Sequence, residues 1–260
     1  MSGHLVLSLF PGIGLLDMAF EEEGFCVVRG PDLLWGGDVR RFHPPAGRFD
    51  GAIGGPPCQA HSKLGSLCQL GNGVPAGLAH GNMIPEFERV VNEARPAWFV
   101  MENVPEAPLP MVPEYATSSC ILNNRWFGAD QNRRRRFSFG RDLSAAHGGG
   151  AEYAGHPIVP WAFIGADMAA LESPTFEPAV LAGHGPALGQ RVRGIVGRTW
   201  QHGARLQGLP DDWIKRMEED APFTVHGLKR VVGNGVPLPL GRAVARAVKR
   251  ALGLAQERAA

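Results

Sequence analysis

The sequence predicts an α/β protein with a Rossmann-like, doubly wound, mostly parallel sheet and a small additional lobe. Short apolar runs that suit strands alternate with stretches whose apolar residues recur at helical spacing. The 260 residues, 44% hydrophobic and 20% charged, fit one large domain plus a small appendage. The 35 glycines and 22 prolines follow no period, so they indicate many turns rather than collagen or disorder.

The first part of the chain contains three predicted strands and one predicted helix. Apolar runs at 5–10, 27–28 and 49–53 predict short buried strands. Between the first two runs, apolar residues recur at helical spacing, acidic residues follow, and Gly24 comes next. This pattern predicts an amphipathic helix that ends at the glycine.

The same alternation continues downstream. Apolar positions over 84–94 predict a helix that stops before Pro96, and the runs 98–101 and 137–139 predict further strands. Helical spacing over 238–252 predicts a final helix that packs on the sheet. Because strands that alternate with helices form parallel sheets, we expect helices on both faces and ligands at the carboxyl ends of the strands.

A cysteine follows the third predicted strand. Two glycines and two prolines at 54–57 precede Cys58 and restrict the backbone to few conformations. A thiol held at the end of a strand suits a nucleophile. An isolated cysteine is more often a small core residue. Taken alone, the segment leaves both interpretations open.

Glycines follow the first predicted strand, in Phe10-Pro11-Gly12-Ile13-Gly14. Such glycines let a ligand approach the backbone, and the N-terminus of the next helix offers free N–H groups. After the second strand, Asp32 is placed to bind ribose hydroxyls, and Asp38 to accept a bond from an adenine amino group. Two solvated loop carboxylates are the alternative interpretation.

Charged residues adjoin two further strands. Glu102 directly follows the run 98–101, where a buried carboxylate needs a partner. It suits a helix cap or an ion pair, or a group that holds a heterocycle through an N–H edge. Four consecutive arginines begin at Arg133, and in an extended chain Gln131, Arg133 and Arg135 share one face.

Six segments together resemble the ordered motifs of the DNA cytosine-5 methyltransferases. They occur in the family's order and extend from residue 10 to residue 237. The segments are Phe10-x-Gly12-x-Gly14, Gly55-Pro56-Pro57-Cys58-Gln59, Glu102-Asn103-Val104, Gln131-x-Arg133-x-Arg135, the stretch 204–211, and Gly233-Asn234-Gly235-Val236-Pro237.

The resemblance implies a catalytic group of Cys58, Glu102, Arg133 and Arg135. In the family's mechanism the cysteine thiolate adds to C6 of cytosine, and the glutamate bonds N3 and the exocyclic amine. Arg135 matches the arginine that contacts O2, with Arg133 beside it in support. The target base lies inside a duplex, so the resemblance also implies double-stranded DNA as partner and a flipped base.

The resemblance further implies S-adenosylmethionine as cofactor. Two departures from the family's pattern concern its site: the chain after Asp32 is too short for the usual helix, and Gly235 replaces a common Ser or Ala. We therefore expect an open nucleotide side, with the last motif packed beside the first. The implied cofactor-binding residues are Phe10, Gly12, Gly14, Asp32, Leu33, Asp38 and Asn234.

A catalytic, cofactor-binding domain is predicted over 1–141 and 198–260, with a small target-recognition region at 142–197. This region shows no zinc spacing and no recognisable DNA-binding module. Because few of its side chains can reach base edges, we expect a short target of about two to four base pairs. The predicted DNA-binding residues are Gln59, Ser62, Gln131, Arg191, Arg193 and Arg198.

Net charge, cysteine spacing and the lengths of the apolar runs bear on the partner and the cellular compartment. The net charge of +1 does not indicate nucleic-acid binding by itself, so a local basic patch is needed. The four cysteines show neither CxxC nor His-Cys metal spacing, which predicts a reduced compartment and no metal. No apolar run suits a membrane span, and the first residues resemble no export signal. A cytoplasmic monomer, in a bacterium or a phage-infected host cell, is expected.

Other functions use the same residues. A relative that methylates cytosine in tRNA, or a DNA cytosine hydroxymethylase, would need the same pyrimidine-activating groups. A non-catalytic DNA-binding or cofactor-binding relative is less consistent with the sequence, because Cys58, Glu102, Arg133 and Arg135 are all present.

Overall fold

A six-stranded sheet forms the centre of the protein. In the computed structural model, which describes residues 4–57, 81–144, 159–169, 177–180 and 198–254, the strand order is β2-β1-β3-β4-β7-β5. A second sheet pairs β6 with β8. The strands are β1 (Leu5–Leu9), β2 (Cys26–Arg29), β3 (Gly51–Gly54), β4 (Trp98–Asn103), β5 (Tyr115–Asn123), β6 (Gln131–Asn132), β7 (Arg134–Asp142) and β8 (Glu177–Pro178).

The central sheet is mostly parallel, as predicted. Strands β1 to β4 pair in parallel, whereas β7 pairs antiparallel with β4 on one side and β5 on the other. Five of the six strands therefore run in one direction. The predicted strand at 5–10 ends one residue early, because Phe10 adopts a left-handed φ of 55° that a strand does not accept.

Helices cover both faces of this sheet, which confirms the doubly wound architecture. Leu7 and Phe99 face α2, whereas their neighbours Val6 and Trp98 face α1 and α6, because successive strand residues point to opposite faces. The helices are α1 (Leu15–Glu22), α2 (Ile84–Ala94), α3 (Trp200–Leu206), α4 (Asp211–Asp220), α5 (Val225–Asn234) and α6 (Leu238–Ala251).

The edge strand β5 was not predicted from the sequence. Its residues alternate weakly between apolar and polar, and most of them are only partly buried. Nine residue pairs with β7 hold it in the sheet. Tertiary pairing thus forms a strand where hydrophobic patterning alone is too weak to indicate one.

Described parts of the predicted recognition region lie against the catalytic domain. The short helix Pro160–Asp167 packs on α6, where Arg246 and Arg250 bind Asp167 with N–O distances of 2.7 and 2.5 Å. Strand β8 pairs with β6. Both described segments therefore contact the predicted catalytic domain. The boundaries of the recognition region, 142 and 197, stay a prediction.

Candidate active site

The carboxyl ends of β3 and β4 bring the predicted nucleophile turn beside Glu102. Gly54 pairs with Met101, so the chain enters the 55–57 turn next to the residue that follows Met101. A Cβ on Gly55 would stand 3.1 Å from Oε2 of Glu102, so glycine allows this close approach. Cys58 follows the turn in the chain but lies, with Gln59 and Ser62, outside the described residues.

Asn103 connects the two strand ends. It is 1% exposed, and its Nδ2 donates to the carbonyl oxygen of Pro56 at 3.2 Å. Its Oδ1 accepts from the backbone N–H of Val104 at 2.8 Å. The asparagine of the Glu-Asn-Val segment therefore orients the proline turn, a role that the sequence alone did not reveal.

Glu102 and Arg135 form a largely buried ion pair. Oε1 of Glu102 lies 2.8 Å from Nε of Arg135, and the side chains are 11% and 16% exposed. Burial raises the pKa of Glu102, and the positive charges of Arg135 and Arg133 oppose this rise. A carboxyl with a raised pKa holds a proton more readily, which suits a group that faces a ring nitrogen.

Arg133 has a different set of partners. Its side chain is buried, with Nη1 donating to the carbonyl of Val180 at 2.6 Å. Nη2 donates to the carbonyls of Gly233 and Gly235 at 2.8 and 3.2 Å. These contacts join the arginine segment to the end of α5, so Arg133 can support the site by positioning backbone.

Two buried glutamines extend this network. Nε2 of Gln207 donates to the carbonyls of Val232 and Gly235 at 2.7 and 3.0 Å. Nε2 of Gln131 donates to the carbonyl of Leu206 at 2.9 Å and lies 3.3 Å from Oε1 of Gln207. Gln207 lies within the 204–211 motif, and no role was predicted for it. In the structure the amide nitrogen of Gln131 binds these internal acceptors. Its predicted contact with DNA stays a prediction.

The loop after β1 has a backbone shaped for close approach. Phe10, Gly12 and Gly14 have φ values of 55°, 56° and 80°, in the left-handed region that glycine adopts most readily. Gly14 caps α1, and among the described residues no side chain accepts from the first N–H groups of this helix. Apart from its two chain neighbours, no atom of the described residues lies within 4 Å of where a Cβ of Gly12 would stand, so on this side the described part of the loop is open to a ligand.

The two predicted cofactor acids have partners within their own segments. Oδ2 of Asp32 accepts from the N–H of Gly12 at 2.8 Å, and Oδ1 accepts from Leu34 at 2.7 Å. Asp38 binds Arg40 through Nε and Nη2, and these hydrogen bonds lower its pKa. Since each carboxylate oxygen can accept more than one bond, both acids keep acceptor capacity for a ligand.

The remaining predicted cofactor residues lie at accessible positions. Leu33 is 52% exposed and begins a three-residue helical turn, Leu33–Trp35, in place of a longer helix. Asn234 is exposed at the end of α5. The open loop, the first N–H groups of α1 and the exposed Leu33 together fit S-adenosylmethionine.

The last motif packs beside the first, as predicted. A Cβ on Gly235 would overlap Cδ1 of Leu15, the first residue of α1. Leu15 thus fills the space that a serine or alanine side chain at 235 would take. This contact gives the glycine departure a physical reason.

Asp17 is a buried acid that sequence reasoning missed. It accepts from Oγ of Ser8 at 2.5 Å and from Nε of Arg29 at 2.9 Å, and burial raises its pKa. These bonds tie α1 to β1 and β2 directly behind the loop. An acid in the first turn of an otherwise apolar helix face was the available signal.

Arg198 is held inside the protein. Nη2 lies 2.7 Å from Oε2 of Glu177, Nη1 donates to the carbonyl of Pro178 at 3.1 Å, and the side chain is 7% exposed. Its predicted contact with DNA stays a prediction. Arg191 and Arg193 lie outside the described residues.

The described residues hold neither a cluster of metal ligands nor a helix that could span a membrane. Within the described ranges, no three His, Cys, Asp or Glu side chains gather as metal ligands would. Over the same part of the chain, every helix is too short or too polar to cross a membrane.

Comparison with known proteins identifies relatives. The family model of C-5 cytosine-specific DNA methylase matches residues 37–108. Type II methyltransferase M.AquIA of Picosynechococcus sp. is 31% identical over 186 residues, which cover 53% of this chain and 72% of that protein. Type II methyltransferase M.NgoPII of Neisseria gonorrhoeae is 29% identical over 150 residues, 51% of this chain.

This chain spans only part of several relatives. The match covers 38% of M.NgoPII and 48% of Type II methyltransferase M.FnuDI of Fusobacterium nucleatum. Two solved structures share the fold. The Entamoeba histolytica methyltransferase EhMeth aligns with a TM-score of 0.60 and 12% identity, covering 97% of this chain and 99% of that chain. A putative DNA modification methyltransferase encoded within an Escherichia coli prophage aligns at 0.56 and 18%, covering 96% and 99%.

The relation to M.AquIA, at 31% identity over 72% of that protein, decides the family. The matching family model agrees with it, and the six ordered segments of this sequence agree with both. The chain belongs to the C-5 cytosine-specific DNA methylases.

Proposed function

We propose that this protein transfers a methyl group from S-adenosylmethionine to C5 of cytosine in double-stranded DNA. The observation that carries the proposal is the buried Glu102–Arg135 pair beside the turn that leads into Cys58. A carboxyl and a guanidinium held together at a strand end can bind neighbouring polar atoms on one edge of a pyrimidine. The chain then supplies a thiol from the adjoining turn.

Cys58 is the proposed nucleophile. Its thiolate sulfur forms a bond to C6, and the electrons of the C5–C6 double bond move to C5, which becomes nucleophilic. When bound, S-adenosylmethionine supplies the electrophilic methyl group for C5. A water molecule acting as base then takes the proton on C5, the electrons of that C–H bond re-form the C5–C6 double bond, the C6–S bond breaks, and the thiolate is regenerated.

Glu102 and Arg135 are proposed to stabilise the charge that develops on the ring. Glu102 bonds N3 and the exocyclic amine, and its raised pKa favours a proton shared with N3 during addition. Arg135 donates to O2. The existing Glu102–Arg135 contact keeps both groups oriented before the base arrives, which is the condition for electrostatic catalysis.

The cofactor is proposed to lie at the carboxyl end of β1. The Phe10–Gly14 loop and the first N–H groups of α1 hold its methionine end. Asp32, Leu33 and Asp38 bind the nucleoside, and Asn234 closes the site from the last motif.

The DNA partner requires a flipped cytosine, because C5 and C6 are stacked within a duplex. We place Gln59, Ser62, Gln131, Arg191, Arg193 and Arg198 at the DNA, and we take 142–197 as the target-recognition region. A monomer acting in the cytoplasm, where its DNA substrate lies, is part of the proposal.

A trapping experiment tests this function. Duplex DNA with 5-fluorocytosine, incubated with protein and S-adenosylmethionine, should give an adduct that survives denaturation, because fluorine at C5 blocks release of Cys58. Cys58→Ser should give no adduct and no methyl transfer, whereas Cys26→Ser and Cys120→Ser should retain most activity. Near-native methylation by Cys58→Ser would contradict the mechanism.

A nucleoside analysis separates the related functions. Mass spectrometry after incubation with labelled S-adenosylmethionine should find 5-methylcytosine in duplex DNA. Labelled 5-methylcytosine in tRNA instead, or product in DNA only with another one-carbon donor, would replace the proposal with one of the related activities.

A further inference from the structure

Trp35 links the segment after β2 to the proposed cofactor loop. Its indole Nε1 donates to the carbonyl oxygen of Gly12 at 2.7 Å. The N–H of the same glycine donates to Oδ2 of Asp32 at 2.8 Å. Both polar backbone groups of Gly12 are therefore held by one neighbouring segment, and Gly12 is held in its left-handed conformation, with φ 56°.

The holding segment is itself a closed turn. The main-chain carbonyl of Asp32 accepts from the N–H groups of Trp35 and Gly37, both at 3.0 Å. Gly36 has a φ of 83°, and a Cβ on Gly37 would approach Cβ of Pro31 to 2.8 Å. Backbone bonds and glycine conformations thus set the position of Trp35 before any ligand binds.

The ring of Trp35 is supported from the C-terminal part of the chain. Its centroid lies 5.7 Å from that of Phe223, with an interplanar angle of 57°. Phe223 directly precedes Thr224, the residue that caps α5. Trp35, Phe223 and Trp213 of α4 line one cavity of about 340 Å³.

Simple packing does not account for this arrangement. Trp35 is 57% exposed, so much of its ring gains nothing from burial. The side chain nevertheless keeps a hydrogen bond of 2.7 Å to Gly12, a glycine beside which the described residues leave open space. Trp213 lines the same cavity and makes no contact of this kind among the hydrogen bonds of the described residues.

We infer that Trp35 is a positioning residue for the methyl donor. Its indole N–H fixes the Gly12 peptide, and Phe223 fixes the indole, so the short turn replaces the support of a longer helix. This inference rests on the proposed function, since it assumes that the Phe10–Gly14 loop binds S-adenosylmethionine.

The test compares Trp35→Phe with Trp213→Phe. The first variant keeps a smaller aromatic ring against Phe223 and removes the N–H donor. The second shortens a ring in the same cavity away from the loop. Calorimetry with S-adenosylhomocysteine should show Kd raised about 3- to 10-fold for Trp35→Phe, the range for one lost hydrogen bond. Trp213→Phe should bind like wild type. With methyl transfer as readout, KM for S-adenosylmethionine should rise while kcat and Tm stay unchanged.

Several results would overturn the inference. An unchanged Kd for Trp35→Phe would do so, as would an equal rise for Trp213→Phe, which would indicate cavity packing instead. A lower Tm with unchanged Kd would make Trp35 merely structural. If the wild type fails to bind S-adenosylhomocysteine, the proposed cofactor is wrong and the inference falls with it, a result distinct from the others.

Discussion

Oε1 of Glu102 lies 2.8 Å from Nε of Arg135, at the end of the strand that adjoins the nucleophile turn. The carboxylate comes from β4 and the guanidinium from the neighbouring antiparallel strand β7. Two oppositely charged groups on adjacent strands thus form a preorganised pair that needs little rearrangement when a base enters.

Replacing Glu102 tests that pair. Glu102→Gln should lower single-turnover methyl transfer by about 100-fold or more, because the variant loses a preorganised charge at the developing ring charge. DNA affinity, measured by fluorescence anisotropy, should change far less. Glu114→Gln is the matched control, since it removes another carboxylate paired with an arginine, Arg95, at an exposed position. Weakened DNA binding with intact single-turnover chemistry would show that the assigned role is wrong.

The raised pKa of Glu102 predicts a pH dependence of stability. A carboxyl whose folded pKa exceeds its unfolded value contributes stability that is present below the unfolded pKa and lost as pH rises through the folded pKa. Wild type should therefore lose stability relative to Glu102→Gln from about pH 4 upward, the usual range for glutamate. Urea unfolding of both proteins across pH measures the difference. A difference independent of pH would mean that burial does not raise this pKa.

Gly235 and Leu15 should be energetically coupled. Gly235→Ala places a methyl group on Cδ1 of Leu15 and should cost about 1–3 kcal/mol of unfolding free energy. The double variant with Leu15→Ala should lose less than the two single losses added together, because the smaller side chain makes room. Gly165→Ala is the control, as its added Cβ meets no atom of the described part of the chain within 4 Å. Strict additivity in a denaturant-based double-mutant cycle would refute the contact.

Alanine substitution should lower the unfolding free energy much more at Arg133 than at its neighbour Arg134. Arg133→Ala removes donors to three carbonyls. That of Gly235 keeps its bond from Gln207, and each of the other two, left unsatisfied, costs about 1–3 kcal/mol. Arg134→Ala removes an exposed side chain and should change stability by about 0.5 kcal/mol or less. Chemical denaturation of both variants checks the contrast. Equal losses would mean that the network around Gly233 and Gly235 does not depend on Arg133.

The target site should be short and contain G·C pairs. The predicted recognition region, 142–197, is short, so few of its side chains are available to read base edges. Arginine most often reads guanine, and each good contact discriminates by about 1–3 kcal/mol. Conversion sequencing after exhaustive methylation would display the context. The expected target has about two to four base pairs. A motif of six or more fixed positions would contradict this expectation.

Local patterns predicted much of the framework. Apolar periodicity and the Gly and Pro residues at their ends predicted the strands β1 to β4 and the helices α1, α2 and α6. These signals are visible in the sequence because they involve residues that are close together in the chain. Their boundaries moved by a few residues. The weakly patterned β5 escaped prediction because its stability comes from pairing with β7.

The sequence predicted which residues belong to the candidate site, but not which partners their side chains bind. The sequence by itself determined the α/β class and the family motifs and predicted Cys58, Glu102 and Arg135 as site residues, because each motif lies within a few consecutive residues. Only the tertiary structure separated Arg135, which meets Glu102, from Arg133, which meets backbone of α5 about 100 residues away. It alone revealed Gln207 and the bond from Trp35 to Gly12, because hydrogen bonds between distant segments depend on how strands and helices pack rather than on local order.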